Sequence, residues 1–249
     1  MNKLNLRLSV LFSLGLFLQG CVHAQTIVVS TQGNNLFEVD MDDCSYRQIG
    51  TVPMRTTDIG FHPNGNLYAI TSVGDLFLVD FLTGNFTQIY TFEATPSQLY
   101  TALTIAADGT FYVCGDAGNL YIYSLDTNSG IRLGNVGFAA EGDLAFNNGE
   151  LYMAAANDDI VRVNTRVPSA SEVVIDGNIP NRLFGLVSSA QSCQNLQTYA
   201  MTDQSAEVYL VDFVNGTLTP YCDIPLAVTG GASTFEFFGS APVVIEELR

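Results

Sequence analysis

The chain of 249 residues has no tryptophan, one lysine and two histidines. The lysine, Lys3, and one histidine, His23, fall within the first 24 residues, where a leader is predicted below, so lysine-based catalysis is excluded from the rest. His62 then stands alone. A multi-histidine metal site is excluded, and a Ser-His-Asp mechanism would depend wholly on this residue, with no G-x-S-x-G elbow to support it. The five cysteines form no CxxC element, which speaks against zinc. The glycine-rich stretch Thr229-Gly230-Gly231-Ala232 reads as a lead-in to a strand, not as a phosphate loop opening a helix. Positive charge is scarce as well: nine Lys and Arg face 25 Asp and Glu, for a net charge of −16. Such a surface repels nucleic acid and anionic lipid. It suits solubility first and cation binding second.

No run is long enough for a transmembrane segment. The longest apolar stretch, Leu8 to Leu18, follows the basic Lys3 and Arg7, and this pattern is a secretion signal. Two processing readings stand. Val22-His23-Ala24 before Gln25 fits plain cleavage, giving a signal peptide over residues 1–24. Leu18-Gln19-Gly20-Cys21 resembles a lipoprotein box with a lipid anchor at Cys21, but Gln19 fits poorly where a small residue is usual. Either way the expected location is outside the cytoplasm: secreted, periplasmic or at the outer cell surface. Beyond the leader lie Cys44, Cys114, Cys193 and Cys222, an even set that permits disulfides in an exported chain. Three pairings are open, and Cys114, in an apolar strand, also reads as a buried thiol.

What the chain does contain is a unit recurring about every 40 residues. Leu67-Tyr68-Ala69-Ile70 with Asp75 to Asp80 returns as Phe111-Tyr112-Val113-Cys114 with Asn119 to Ser124, and again as Leu151-Tyr152-Met153 with Asp159 to Asn164. Each unit reads as four short strands, a to d. In the first, Asp58–Phe61 is strand a, Pro63-Asn64-Gly65-Asn66 is a hairpin turn, and strands b, c and d follow to Phe92. Similar units start near Ala102, Asp143 and Leu183. Residues 26–52 supply only b, c and d, and Ser233 to Phe237 is predicted as the missing strand a. The expected fold is therefore all-β: a five-bladed β-propeller over 25–240, closed by pairing the two ends, with 241–249 as a tail.

The phrase Leu-Phe-x-Val-Asp at 36–40 and 76–80 carries a resemblance, with Val208 to Asp212, Gly142-Asp143-Leu144-Ala145-Phe146 and the turn Thr83-Gly84-Asn85. These units resemble secreted bacterial propellers of the WD-like, YVTN and NHL type, and most of all propeller regions of surface proteins from gliding bacteria. The resemblance spans nearly all of the chain beyond the leader. It implies ligand or partner binding, adhesion or envelope work, and it leaves the particular task open.

Propellers usually bind at the channel mouth, on the face bearing the d–a and b–c loops. There Asp58, Glu141 and Asp143 are the candidate ligand-binding residues. Asp75, Asp116, Asp158, Asp159 and Asp203 in b–c loops could hold Ca²⁺, the one cofactor the sequence leaves room for. Against both stands the reading of Asp as a turn former. Asp40, Asp80, Ser124, Asn164 and Asp212 end strand c in every unit, and five copies mean turn capping rather than catalysis. Tyr68, Tyr112, Tyr152 and Tyr199 recur in strand b and read as packing between blades. The leading functional reading is a non-catalytic binding module with a protein or glycan partner at the cell surface. The alternative is a small exported hydrolase, glycosidase- or lactonase-like, using carboxylates or Ca²⁺ at the channel mouth.

Overall fold

Short apolar runs cut by Asn-Gly, Asp-Gly and Thr-Gly-Asn turns leave the chain little choice but successive hairpins. In the computed structural model these become a five-bladed β-propeller. It describes residues 26–236 apart from 81–82, 94–97, 178, 180, 193–194 and 204–206. The predicted signal peptide, the tail and Cys193 lie outside the described residues.

Blade 2 is the plainest. Strands β4 (Asp58–Phe61), β5 (Leu67–Ile70), β6 (Asp75–Asp80) and β7 (Asn85–Thr91) pair in order as an antiparallel sheet. Blade 3 repeats it with β8 (Tyr100–Ile105), β9 (Phe111–Gly115), β10 (Asn119–Ser124) and β11 (Ser129–Asn135). Blade 4 comprises β12 (Ala140–Asn147), β13 (Glu150–Ala155), β14 (Ile160–Val163) and β15 (Glu172–Ile175). Blade 5 comprises β16 (Leu183–Ser192), β17 (Asn195–Thr202), β18 (Glu207–Asp212) and β19 (Thr217–Asp223). Blade 1 is composite: β1 (Thr26–Thr31), β2 (Asn35–Asp40) and β3 (Tyr46–Thr51) take β20 (Val228–Ala232) as their inner strand. The inner strands touch in the order β20, β4, β8, β12, β16 and back to β20, which closes the ring.

The closing strand differs from expectation. Residues 228–232 form it, and the predicted 233–237 segment is instead a turn, with Glu236 N–H donating to the Ser233 carbonyl and Phe237 outside the described residues. Thr229 to Ala232, expected only to lead into a strand, form the strand itself, although glycine weakens one. Here glycine is required by close approach: a Cβ on Gly230 would collide with the carboxylate of Asp58. The closure seam is held further by Ser30 Oγ and Thr229 Oγ1 at 2.9 Å. A disulfide joins Cys44, after β2, to Cys222 on β19, tying blade 1 to blade 5. Beside it the Tyr221 hydroxyl donates to the Met41 carbonyl. Of the other sulfurs, Cys114 is a free, buried thiol.

All five blades share one irregularity. The c–d pairing slips at Leu36/Phe37, Leu76/Phe77, Leu120/Tyr121, Ile160/Val161 and Val208/Tyr209, so one extra residue of strand d bulges in each. A bulge sharpens local twist, which fans the outer strands of a blade. The strand b tyrosines pack as predicted. Tyr68 meets Phe111 of blade 3 edge-on at 5.0 Å, and Tyr112 meets Phe146 of blade 4 at 5.4 Å. Tyr152 stacks on Phe213 of blade 5 at 3.8 Å. Each such contact is worth about 1 kcal/mol beyond the area it buries.

Four of the five predicted strand c ends cap turns; Ser124 makes no side-chain hydrogen bond among the described residues. Asp40 Oδ1 accepts from Asp42 N–H at 2.9 Å, Asp80 Oδ1 from Thr83 N–H, Asn164 Oδ1 from Arg166 and Val167 N–H, and Asp212 Oδ1 from Val214 and Asn215 N–H. His62, in the β4–β5 turn, accepts from Asn64 N–H at Nδ1 and packs its ring near Tyr68 and Phe111. Its pKa is lowered, burial being the main cause.

Candidate functional site: the channel and its mouth

The inner strands bring equivalent positions to one level of the central channel. Strand register makes Asp58, Ala102, Asp143, Gly185 and Gly230 counterparts, and the residues after them, Ile59, Leu103, Leu144, Leu186 and Gly231, counterparts in turn. An innermost strand has one edge without a strand partner, so its N–H groups need acceptors from elsewhere. Two side chains supply all of them at this level. Asp58 Oδ1 accepts from Ile59 N–H at 2.7 Å and Oδ2 from Leu103 N–H at 2.6 Å. Asp143 Oδ1 accepts from Leu144 N–H at 2.7 Å, and Oδ2 from Leu186 N–H at 3.1 Å and Gly231 N–H at 2.8 Å. Two carboxyls thus take one N–H from each of the five blades.

Both residues are fully buried. Their carboxyls also interact side chain to side chain. Burial drives the pKa of both well above the ordinary carboxylate range, and the charge of Asp143 raises Asp58 further, while the N–H donors pull each of them down. Two touching carboxyls cannot both ionise in such a place. The pair shares a proton, and Asp143, which faces three N–H groups against two on Asp58, is the better seat for the remaining charge. A third acid joins them: Glu236, from the turn after β20, is buried with Oε1 unpartnered. Burial and then the charge of Asp143 raise its pKa as well. Sequence reasoning missed Glu236, since a lone acid near the end of the described chain carries no local signal of where it folds.

Asp58 and Asp143 therefore stand inside the channel, not at its mouth as expected, because closure of the ring directs them at backbone N–H groups. Glu141 is at the mouth. So are residues that immediately precede the inner-strand ring: Arg55 and Thr57 before Asp58, Thr101 before Ala102, and Phe184 before Gly185. With Leu99, Arg182 and others they line a cavity of about 480 Å³. Arg182 is held on three sides. Nη1 donates to Glu141 Oε1 at 2.9 Å, Nη2 to Asp203 Oδ2 at 2.8 Å, and the guanidinium lies 4.9 Å over the Phe184 ring. Arg55 and Arg182 went unnoticed in the sequence. Scarcity was the available signal: in a chain so poor in cations, two of them precede inner strands.

The proposed Ca²⁺ ligands do not converge. Asp75 accepts from Gln88 Nε2 at 2.9 Å and Thr91 Oγ1 at 2.7 Å, Asp116 accepts from Leu99 N–H at 2.8 Å, and Asp203 pairs with Arg182. Asp158 and Asp159 are chain neighbours whose pKa values are raised, by burial first. Among the described residues no group of three or more His, Cys, Asp or Glu is placed to hold a metal ion, because separate b–c loops space these acids around the ring. A second, polar cleft of about 780 Å³ opens between blades 3 and 4 at the opposite end, where Arg162 pairs with Glu172.

No family model matches the chain, and no curated protein does. Among solved structures it is similar to a protein of unknown function from Bacteroides caccae, 9% identical with a TM-score of 0.49, the match covering 78% of this chain and 70% of that one. No helix among the described residues is long and apolar enough to cross a membrane.

Proposed function

We propose that the chain is an exported, non-catalytic binding module that takes its ligand at the channel mouth. One observation carries the reading: Asp58 and Asp143, the acids a hydrolase would have to use, are saturated by backbone N–H groups, while the cavity nearby is open and framed by a fixed guanidinium. A hydrolytic carboxylate must reach its substrate. Asp58 and Asp143 are fully buried and each oxygen already accepts a hydrogen bond, so they serve the ring rather than a reaction. A cavity of this volume falls in the range of small-molecule sites.

Export is supported by the basic-then-apolar leader and by the Cys44–Cys222 disulfide, which suits an oxidising compartment. Location at the cell surface, in the periplasm or in the medium, and a protein or glycan partner there, belong to the same proposal. The test expresses residues 1–249 in a bacterial host, fractionates the cells, and assays the exported protein on chromogenic glycosides, lactones and esters. Material cleaved after Ala24 outside the cytoplasm, without turnover, is the expected result. Retention in the cytoplasm would overturn the export reading. Turnover abolished by Asp58→Asn or Asp143→Asn would overturn the non-catalytic one.

A further inference from the structure

The mouth has a chemistry that narrows its ligand. Its lining runs through four of the five d–a connections, from Arg55 before β4 to Arg182 before β16. The two arginines sit at the ends of this arc and differ in state. Both edges of the Arg182 guanidinium are tied to carboxylates, and Phe184 covers one of its faces. Its side chain is nevertheless 54% exposed, so the other face is open. A guanidinium held flat in this way is a stacking platform, because it is planar, delocalised and weakly hydrated. Beside it the small side chains of Ala139, Ala140 and Ala156 leave room, and Leu99, 54% exposed, supplies an apolar wall.

Arg55 is exposed, and among the described residues it forms no ion pair. The acids that share the cavity are engaged elsewhere: Glu141 by Arg182 and Asp116 by Leu99 N–H. The free fork of donors on Arg55 matches a carboxylate or a similar oxyanion.

We propose that the mouth is a site for a planar aromatic anion, an arene carboxylate or its equivalent, stacked on the open face of Arg182 and paired through its acid group with Arg55. This rests on the binding-module reading and names the ligand class for that site. A flat ring gains from the guanidinium face and the alanine-walled space. The acid group gains from Arg55, which forms no ion pair among the described residues.

The experiment is calorimetric titration of the exported protein with 2-naphthoate and three controls: cyclohexanecarboxylate (same charge, not planar), 2-naphthylmethanol (planar, neutral) and 2-naphthylamine methylated to a fixed cation. Binding of 2-naphthoate at least about tenfold tighter than each control is expected, the size of one charge-assisted hydrogen bond. Arg55→Ala brings 2-naphthoate down to the level of the neutral control. Arg182→Lys keeps the charge, loses the flat face, and weakens 2-naphthoate while leaving cyclohexanecarboxylate unchanged. Equal affinity for the planar and saturated acids, no binding of 2-naphthoate, or binding indifferent to Arg55→Ala would each overturn the ligand class. Arg55→Ala is at an exposed position and keeps the test decisive should Arg182→Lys disturb Asp203. Tight binding of the fixed cation would overturn the ligand class while leaving the binding module standing. Substrate turnover, measured separately, is what would overturn the module itself.

Discussion

Replacing each channel aspartate by asparagine should have unequal effects, because Asp143 faces three N–H groups and Asp58 two. The pair shares one proton, and with the charge best seated where three N–H groups meet it, on Asp143, Asp58→Asn removes none. It removes one acceptor, leaving one of two N–H groups, Ile59 or Leu103, facing an NH₂. A buried donor left without an acceptor costs about 1–3 kcal/mol. Asp143 accepts three N–H groups and is the better seat for the charge. Asp143→Asn orphans at least one, again about 1–3 kcal/mol, and turns the surviving bonds from charge-assisted to neutral, each about 1 kcal/mol weaker. The total is about 3–5 kcal/mol, a large share of the 5–15 kcal/mol typical of a domain. Urea unfolding followed by circular dichroism at pH 5 measures both. The pH dependence supplies a second readout. The folded pKa values of the aspartate pair and Glu236 are raised, so above the ordinary carboxylate range the folded chain binds more protons than the unfolded one. Their contribution is therefore present in full below about pH 4 and is lost as pH rises through the folded values, at about 1.4 kcal/mol per pH unit for each retained proton. Asp58→Asn removes one such proton, so its cost relative to the wild type should shrink between pH 5 and pH 8. An Asp58→Asn variant as damaged as Asp143→Asn at pH 5, or a wild type whose stability is flat from pH 5 to 8, would refute the shared-proton account.

Two further outcomes follow from the closure seam. Cys44 and Cys222 are 178 residues apart, and cross-linking a loop of that length restricts the unfolded chain by up to about 5 kcal/mol; reductant should lower the melting temperature of the wild type and leave Cys44→Ser, already lowered, unmoved. Gly230→Ala places a methyl on the Asp58 carboxylate and should cost more than Gly137→Ala, where nothing lies within 4 Å and only the positive φ of 82° resists, at roughly 1 kcal/mol; paired thermal melts decide the order.

The blades were legible because their signals are local. Asn64-Gly65 and Asn148-Gly149 fix hairpins within a few residues, and Leu-Phe-x-Val-Asp marks strand c in both blade 1 and blade 2. The start and end of β4 follow from sequence alone. What could not be read is whatever depends on ring closure. Gly230 and Gly231 read as a lead-in to a strand until Asp58, far away in the chain, is placed against Gly230. Asp58 and Asp143 look like mouth acids until five inner strands supply donors between them. The capping of strand c ends was readable, since Asp80 and Asp212 serve N–H groups two or three residues on. The clamp on Arg182 draws Glu141 and Asp203 from separate loops, and no periodicity announces it.

The aspartate pair also bears on how such a chain can evolve. Repeat proteins lengthen and shorten by duplicating or losing a unit, and blades this alike invite it. Around this channel, however, the counterpart residues run Gly, Asp, Ala, Asp, Gly, and the four carboxyl oxygens of the two acids meet five N–H groups. A sixth blade would bring a sixth donor and move Asp58 away from Asp143, and a lost blade would leave an acid crowded against its partner with fewer donors to hold it. The two side chains act as a gauge that accepts one number of repeats, so copies of this gene can diverge in their loops far more readily than in their count.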